Sequence, residues 1–345
     1  MTYIIGEIGQ NHNGSVDVAK LIVDFASRRI VDKLFDLNLP KLNAVKLTKR
    51  DLSEELTDSK MMEPYDNVNS FGATYGEHRA FLELSDQEHF QVYKYARSLG
   101  LEFVETICSI KAMSVLKLFT PNFLKVASRD LTNLPLLQAL AGTKIPMIVS
   151  TGMAGKKELD IAINVITKYN TNLSILHCVS EYPTHPDNVN LNSIDYLIEN
   201  YPEYPIGYSD HTVGISAAIA AVSKGAKIIE KHITINRDMK GSDQRGSLGI
   251  DGLQRMVRDI RLLERSLGEK KLFIAGSTHK TKIKLERSIA TNKNLGKGHV
   301  IEESDIHLLS PGDGFKWIDK DKVVGKKLSE AILKNEIIYP NVLEK

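Results

Sequence analysis

An alternation through the first 268 residues constrains the fold more than any other feature of this chain. Short apolar runs recur at 3–8, 44–47, 102–106, 123–127, 146–150, 173–177, 206–208 and 227–232. Between and after them lie amphipathic stretches at 16–30, 86–99, 111–118, 134–140, 156–169, 192–200, 215–224 and 251–267. Parallel strands need a crossover of a dozen or more residues, and a helix is the usual one. Eight strand and helix units favour a closed (β/α)8 TIM barrel over an open sheet.

Two segments break the repeat. Residues 48–85 are too long for a connection and mix charge, Asn, Gly and aromatics, as a lid or binding excursion does; a solvated insertion without chemistry is the plain alternative. After Gly268 a basic connector leads to a turn-rich segment with Gly296, Gly298, Gly312, Gly314 and Gly325. The expected division is a barrel over 1–270, a linker over 271–284 and a small, mostly strand domain over 285–345.

The charge balance narrows the partners. Forty-five basic against forty-three acidic side chains leave a net +2, which gives no field for nucleic acid or an anionic membrane. The opening MTYIIGEIGQ has no signal-peptide pattern and no stretch is long enough for a bilayer crossing, so the expected location is cytoplasmic. The two cysteines, Cys108 and Cys178, make neither a disulfide framework nor a thiolate metal quartet.

Chemistry in such a barrel collects at the C-terminal ends of the strands, and these ends are polar. They carry Glu7, Lys46, Thr106, Lys125, Ser128, Asp130, Ser150, Ser209, His211, Glu230 and His232, with Tyr182 after the sixth run. Buried polar groups without partners cost about 1–3 kcal/mol each, so so many at one mouth call for a ligand rich in oxygen. Lys46 and Lys125 beside serine hydroxyls suit a phosphate. A Schiff-base role for Lys125 is a competing reading. His211 and His232 end consecutive strands and could share a first-row divalent ion. There is no Walker A loop and no GxGxxG fingerprint.

The motifs IGEIGQNHNGS, KVASRDLTNLPLL, STGMA, HCVSEYPTHPDNVNLNSI, GYSDHTVG, EKHITINRDMKGSD and RSIATNKNLGKG resemble the N-acetylneuraminate synthase family, which includes legionaminic and pseudaminic acid synthases and spore-coat polysaccharide relatives. The resemblance runs from Ile5 to Gly325. It implies a TIM barrel followed by an antifreeze-like, or SAF, domain in a domain-swapped homodimer. It also implies condensation of phosphoenolpyruvate with an open-chain amino sugar and water, giving a nine-carbon 2-keto-3-deoxy acid and phosphate.

By motif, the resemblance gives Glu7, His211 and His232 to catalysis, the two histidines as metal ligands. The metal expected is divalent, Mn²⁺ first, with Mg²⁺, Co²⁺, Zn²⁺ or Fe²⁺ as alternatives. Lys46, Thr106, Lys125, Ser128, Ser150 and Ser209 correspond to the phosphoenolpyruvate pocket. Thr48, Asp130, Tyr182, Asp243 and Arg287 correspond to the acceptor sugar, with Arg287 presented by a neighbouring SAF domain. Glu7, Asp210, Glu230 and His12 are the groups available to carry protons.

The departures from the family pattern lie on the sugar side. Thr48 stands where a glutamine is common, Ser128-Arg129-Asp130 replaces SGE, and KGSDQRGS replaces PGPDHKAS. Arg129 could meet an extra anionic group on the acceptor, or turn outward and pair on the rim. A pyruvate aldolase and a non-catalytic sugar-binding protein are the rival readings.

Overall fold

The computed structural model describes residues 1–344, and the chain separates into two units, Met1–Gly268 and Glu269–Lys345. In the first, eight strands close a parallel barrel: β1 (Tyr3–Gly9), β2 (Ala44–Lys49), β3 (Glu102–Ile107), β4 (Phe123–Val126), β5 (Met147–Ser150), β6 (Leu173–Cys178), β7 (Ile206–Asp210) and β8 (Ile228–His232). Closure comes from β1, which pairs with β8 from Tyr3 opposite Ile228 to Glu7 opposite His232, and with β2 from Ile5 opposite Ala44. The expected barrel is therefore the fold.

The helices outside it are α1 (Val16–Ala26), α2 (Asp86–Ser98), α3 (Leu134–Gly142), α4 (Lys156–Ile166), α5 (Asn192–Asn200), α6 (Ser216–Ser223) and α7 (Ile250–Ser266). Their starts follow local chemistry. Ser15 accepts from the Val18 amide at α1, Ser85 and Glu88 form a capping box at α2, and Asn133 with Pro135 opens α3.

Two helical expectations are corrected. The first helix stops at Ala26 rather than residue 30, because Ser27 folds its amide back onto Val23 and Phe25 and Ile30 must extend to pair with Leu39 in a short hairpin. Segment Lys111–Lys117 is a 3-10 helix, burying only Ala112 and Val115. The excursion after β2 holds a 3-10 turn at Leu52–Glu54, a helical turn at Asp58–Met61 and a capped helix at Tyr75–Leu82.

Strand period explains the interior. Ile5, Ala44, Val104, Ile148, Leu176 and Ile228 form a buried apolar cluster with Tyr3 and Phe123 packed against it. Two residues further along the strands, on the same inward face, come Glu7, Lys46, Thr106, Lys125, Ser150, Cys178, Ser209 and Glu230. One step along eight strands turns an oily plug into a polar ring.

The second unit has its own core of Ile289, Leu295, Ile301, Ile306, Val323, Leu328, Ile332, Ile338 and Val342. Its regular strands are β9 (Ser288–Thr291) and β10 (Ile306–Leu309), paired antiparallel; isolated bridges and 3-10 turns make up much of the rest, so it is less strand-rich than expected. Segment 271–284, expected as a linker, contains a 3-10 turn and most of the helix His279–Leu285. No helix among the described residues is long and apolar enough to cross a membrane.

Candidate active site

The polar ring is the floor of a cavity of about 420 Å³ at the C-terminal mouth of the barrel. Glu7, Lys46, Thr48, Thr106, Lys125, Ser128, Ser150, Tyr182, Ser209, His211, His232 and Asp243 all line it, so twelve scattered sequence positions share one space. Two expected residues do not. Asp130 is buried at the base of its loop, 3.3 Å from the Arg129 Nε, and is not in the wall. Arg287 belongs to the second unit, exposed and immediately ahead of β9.

Four charges meet on the floor. Lys46 pairs with Glu7, donates to Thr106 Oγ1 at 2.9 Å and lies 3.6 Å from Glu230. Lys125 is 3.4 Å from Glu230, which also accepts from Ser209 Oγ at 2.9 Å. Lys125 has that 3.4 Å ion pair alone among the described residues, and the buried Ser150 hydroxyl has no partner. Donors of this kind are open to an incoming acceptor.

The two carboxylates are driven apart. Burial would raise both, but Lys125 and Lys46 outweigh it at Glu230 and hold that group down to about 2. At Glu7 burial prevails over Lys46, with the Glu230 charge adding to it, and the carboxyl sits above its ordinary value. The lysines separate as well: burial pushes Lys125 down, whereas Glu230 and Glu7 keep Lys46 above its usual range despite burial. Divergent titration of paired groups marks one as a fixed charge and the other as a proton carrier. Here Glu230 has the character of a fixed charge, and Glu7 is the carboxyl that holds a proton more readily.

The other candidate proton carriers are occupied elsewhere. Asp210 is buried against Lys231 at 2.8 Å and accepts from the Thr212 amide. His12 accepts from the Gly14 amide through Nδ1, and burial with His89 and Arg50 nearby pushes it down to about 3.

Two glycines make room for this machinery. A Cβ on Gly152 would stand 2.5 Å from Ser180 Oγ, 2.7 Å from Ser128 Oγ and 2.9 Å from Cys178 Sγ. With only hydrogen there, the Gly152 amide donates to Ser128 Oγ at 3.0 Å. Gly9 ends β1 at φ +51°, a conformation glycine adopts without strain, and backs the His232 ring and Glu7.

His211 and His232 present their rings 5.6 Å apart, centroid to centroid. His211 donates Nδ1–H to the Val179 carbonyl at 2.8 Å, which leaves Nε2 as its open nitrogen, the arrangement usual for a ligating histidine. His232 Nδ1 is buried with no hydrogen-bond partner, and Asp243 lies 4.0 Å from it. No three His, Cys, Asp or Glu side chains among the described residues gather as a metal cluster. An ion held by this pair would need water or substrate oxygen to complete its shell. Tyr182 closes this side, its ring centroid 4.0 Å from that of His211.

The excursion after β2 builds the opposite rim. Arg50 and Arg79 of the excursion line the cavity with Arg129 and Gln10, so the excursion borders the site. Glu55, from the excursion, grips Arg129 through both oxygens at 2.6 and 2.8 Å. Arg129 thus lies in the wall, but its fork is already taken. Arg50, Arg79, Gln10 and Cys178 have no assigned role at the level of motif, and nothing in the spacing of the two arginines points to the cavity.

Residues 39–272 match the model of the NeuB family, and residues 286–344 match that of the SAF domain. The N-acetylneuraminate-9-phosphate synthase of Mus musculus is 35% identical over 353 residues, covering 99% of this chain and 92% of that protein. The N,N'-diacetyllegionaminic acid synthase of Legionella pneumophila is 34% identical over 334 residues, 95% of this chain and 90% of that one. Among solved structures, the N-acetylneuraminic acid synthetase of Leptospira borgpetersenii in complex with citrate aligns with a TM-score of 0.67 at 29% identity, over 81% of this chain and 90% of that one. With a family model over more than half its length and relatives matched nearly end to end, this chain belongs to the NeuB family and carries a SAF domain at its C-terminal end.

Proposed function

We propose that this protein condenses phosphoenolpyruvate with the aldehyde of an open-chain amino sugar and water, releasing phosphate and a nine-carbon 2-keto-3-deoxy sugar acid. One observation carries the reading: a buried Ser150 hydroxyl without a hydrogen-bond partner shares a floor contributed by all eight strands with two buried lysines, Lys46 and Lys125, the latter 3.4 Å from Glu230. A small trianion satisfies them. Amino-sugar acid synthases among the relatives supply the reaction class.

In the step itself, C3 of the donor bonds to the aldehyde carbon, water oxygen bonds to C2, and the C2–O bond to phosphorus breaks. Of the two protons water gives up, one ends on the former aldehyde oxygen and one on the departing phosphate. Lys46, Lys125 and the hydroxyls of Ser128, Ser150, Ser209 and Thr106 balance the donor's charge. Glu7, with its raised affinity for a proton, carries one between water and the aldehyde oxygen. Glu230 stays ionised, fixing both lysines.

A divalent ion on His211 and His232, Mn²⁺ first, supplies Lewis acidity toward the aldehyde when bound. Tyr182, Asp243 and Thr48 orient the acceptor, and the partner subunit's Arg287 completes that side in a domain-swapped dimer.

Phosphate release across a panel of amino sugars, with mass measurement of the product, tests the reading. Release that needs both donor and an aldehyde sugar, with a product heavier by a pyruvyl unit, is the expected result. The depressed Lys125 favours one other chemistry, a Schiff-base aldolase. Free pyruvate sufficing as donor, with an adduct trapped by borohydride, would overturn the condensation.

A further inference from the structure

The two imidazoles are held by different means. His232 is the last residue of β8 and pairs with Glu7 across the seam that closes the barrel, so the strand ladder fixes its backbone. β7 stops at Asp210, one residue short of His211. The His211 ring donates to the Val179 carbonyl and its own carbonyl accepts from the Thr184 amide, but both of those partners lie on the loop after β6.

The link back to a strand runs through Lys231, the neighbour of His232 in sequence and the register partner of Asp210 in the sheet. Strand period turns Asp210 and Lys231 to the side opposite Ser209 and Glu230, where neither side chain has any exposure. There the Lys231 ammonium donates to Asp210 Oδ2 at 2.8 Å and to the Thr212 carbonyl. Asp210 Oδ1 in turn accepts from the Thr212 amide at 2.8 Å and from the Tyr208 hydroxyl at 3.3 Å, which bends residues 210–212 into a tight turn with His211 at its apex. One ammonium therefore grips the residues on both sides of His211, and its own backbone continues directly into His232.

Stability does not account for such a pair. Burying two charges is costly, and apolar side chains packed into the same space commonly stabilise a fold as well or better. What they lack is direction: hydrogen bonds at fixed atoms set the angle of a turn, and contact between hydrocarbons does not.

We propose that Asp210 and Lys231 are positioning residues: their ion pair, bridged to Thr212, sets the spacing and aim of His211 and His232, whose rings stand 5.6 Å apart, and thereby the affinity for a divalent ion. The inference rests on the metal role given to the two histidines in the reading above. It assigns the buried pair a task separate from proton transfer.

Mn²⁺ binding without turnover tests it, followed by calorimetry and by the paramagnetic resonance signal of the free ion. The proteins compared are wild type, His211→Ala, Lys231→Arg and the double variant Asp210→Asn/Lys231→Met. The double variant removes both charges and keeps an amide oxygen for the Thr212 N–H. It should retain the far-ultraviolet spectrum of wild type yet bind Mn²⁺ about tenfold more weakly or worse, as loss of the groups that orient a ligand does. Lys231→Arg keeps the charge but trades a compact ammonium for a broad planar fork, and should weaken Mn²⁺ by about threefold. Wild-type affinity in a folded double variant, with His211→Ala weakened, overturns the clamp and leaves the metal site standing. Should the double variant not fold, wild-type affinity in Lys231→Arg overturns it instead. If His211→Ala binds Mn²⁺ as wild type does, the metal reading itself falls and the clamp falls with it. Calorimetry with phosphoenolpyruvate separates aim from general loosening. The double variant should change donor affinity by less than about twofold, because the floor stands on the opposite face of the strands. Equal losses for donor and Mn²⁺ overturn the proposal.

Discussion

The floor and the rim of the cavity are built differently. Every floor residue lies on or just beyond a barrel strand, is nearly buried, and has its direction dictated by the two-residue period that also forms the apolar plug beneath. The rim comes from the end of β1, the excursion after β2 and the loop after β4, and its side chains are aimed by one another: Glu55 by Arg129, Arg79 by Tyr75 and Gln10. On the proposed reading, reaction chemistry and substrate choice are thereby separated in the scaffold. A change on the rim leaves the barrel's hydrogen bonding untouched, whereas a change on the floor leaves a buried charge without its counterpart.

The largest expected effect follows from breaking the floor. Lys125→Met should lower turnover about 10³-fold while the far-ultraviolet spectrum of the folded protein is kept, as assayed by phosphate release. A loss below tenfold would remove Lys125 from the donor pocket and with it the contrast.

Next come the histidines, which stand where floor meets rim. His211→Ala and His232→Ala should each reduce turnover about 10²-fold or more and lower bound metal measured by elemental analysis, with little change in Tm. Near wild-type rates after thorough chelation would sink the metal assignment.

Glu7 sharpens the comparison through pH. Its raised value means the protonated form persists above the normal carboxyl range, so a rate that needs Glu7 as an acid falls as pH rises through that value. Glu7→Gln should cost about 10²-fold and flatten this limb in a kcat/KM profile. Persistence of the limb in the variant would pass the role to another group.

The smallest effect belongs to the rim. Arg129→Ala removes the Glu55 fork and should alter acceptor KM by less than about tenfold, with the KM of phosphoenolpyruvate unmoved. A donor-side effect of equal size would show that floor and rim are not separable.

The sequence made the floor readable for a physical reason. Glu7, Lys46, Thr106, Lys125, Ser150, Ser209 and Glu230 each lie in the C-terminal half of a run or just past it, and once eight runs imply a barrel, an inward residue near a strand end has only one place to point. The rim was not readable in that way. Asp130, expected at the acceptor, turns to Arg129, and Arg79 reaches the cavity from a helix within a segment whose folding depends on the Thr74 and Glu77 capping box and on contacts far away in the chain. The early end of α1 had the same origin, a tertiary pairing of Ile30 with Leu39 that overrides helical periodicity.

The apolar cluster of Ile5, Ala44, Val104, Ile148, Leu176 and Ile228 makes the shaft a blind one. A blind shaft imposes a queue. On the proposed reading the phosphate donor has to descend before the sugar arrives above it, and the freed phosphate waits behind the sugar acid until that product departs, so traffic through this enzyme is last in, first out.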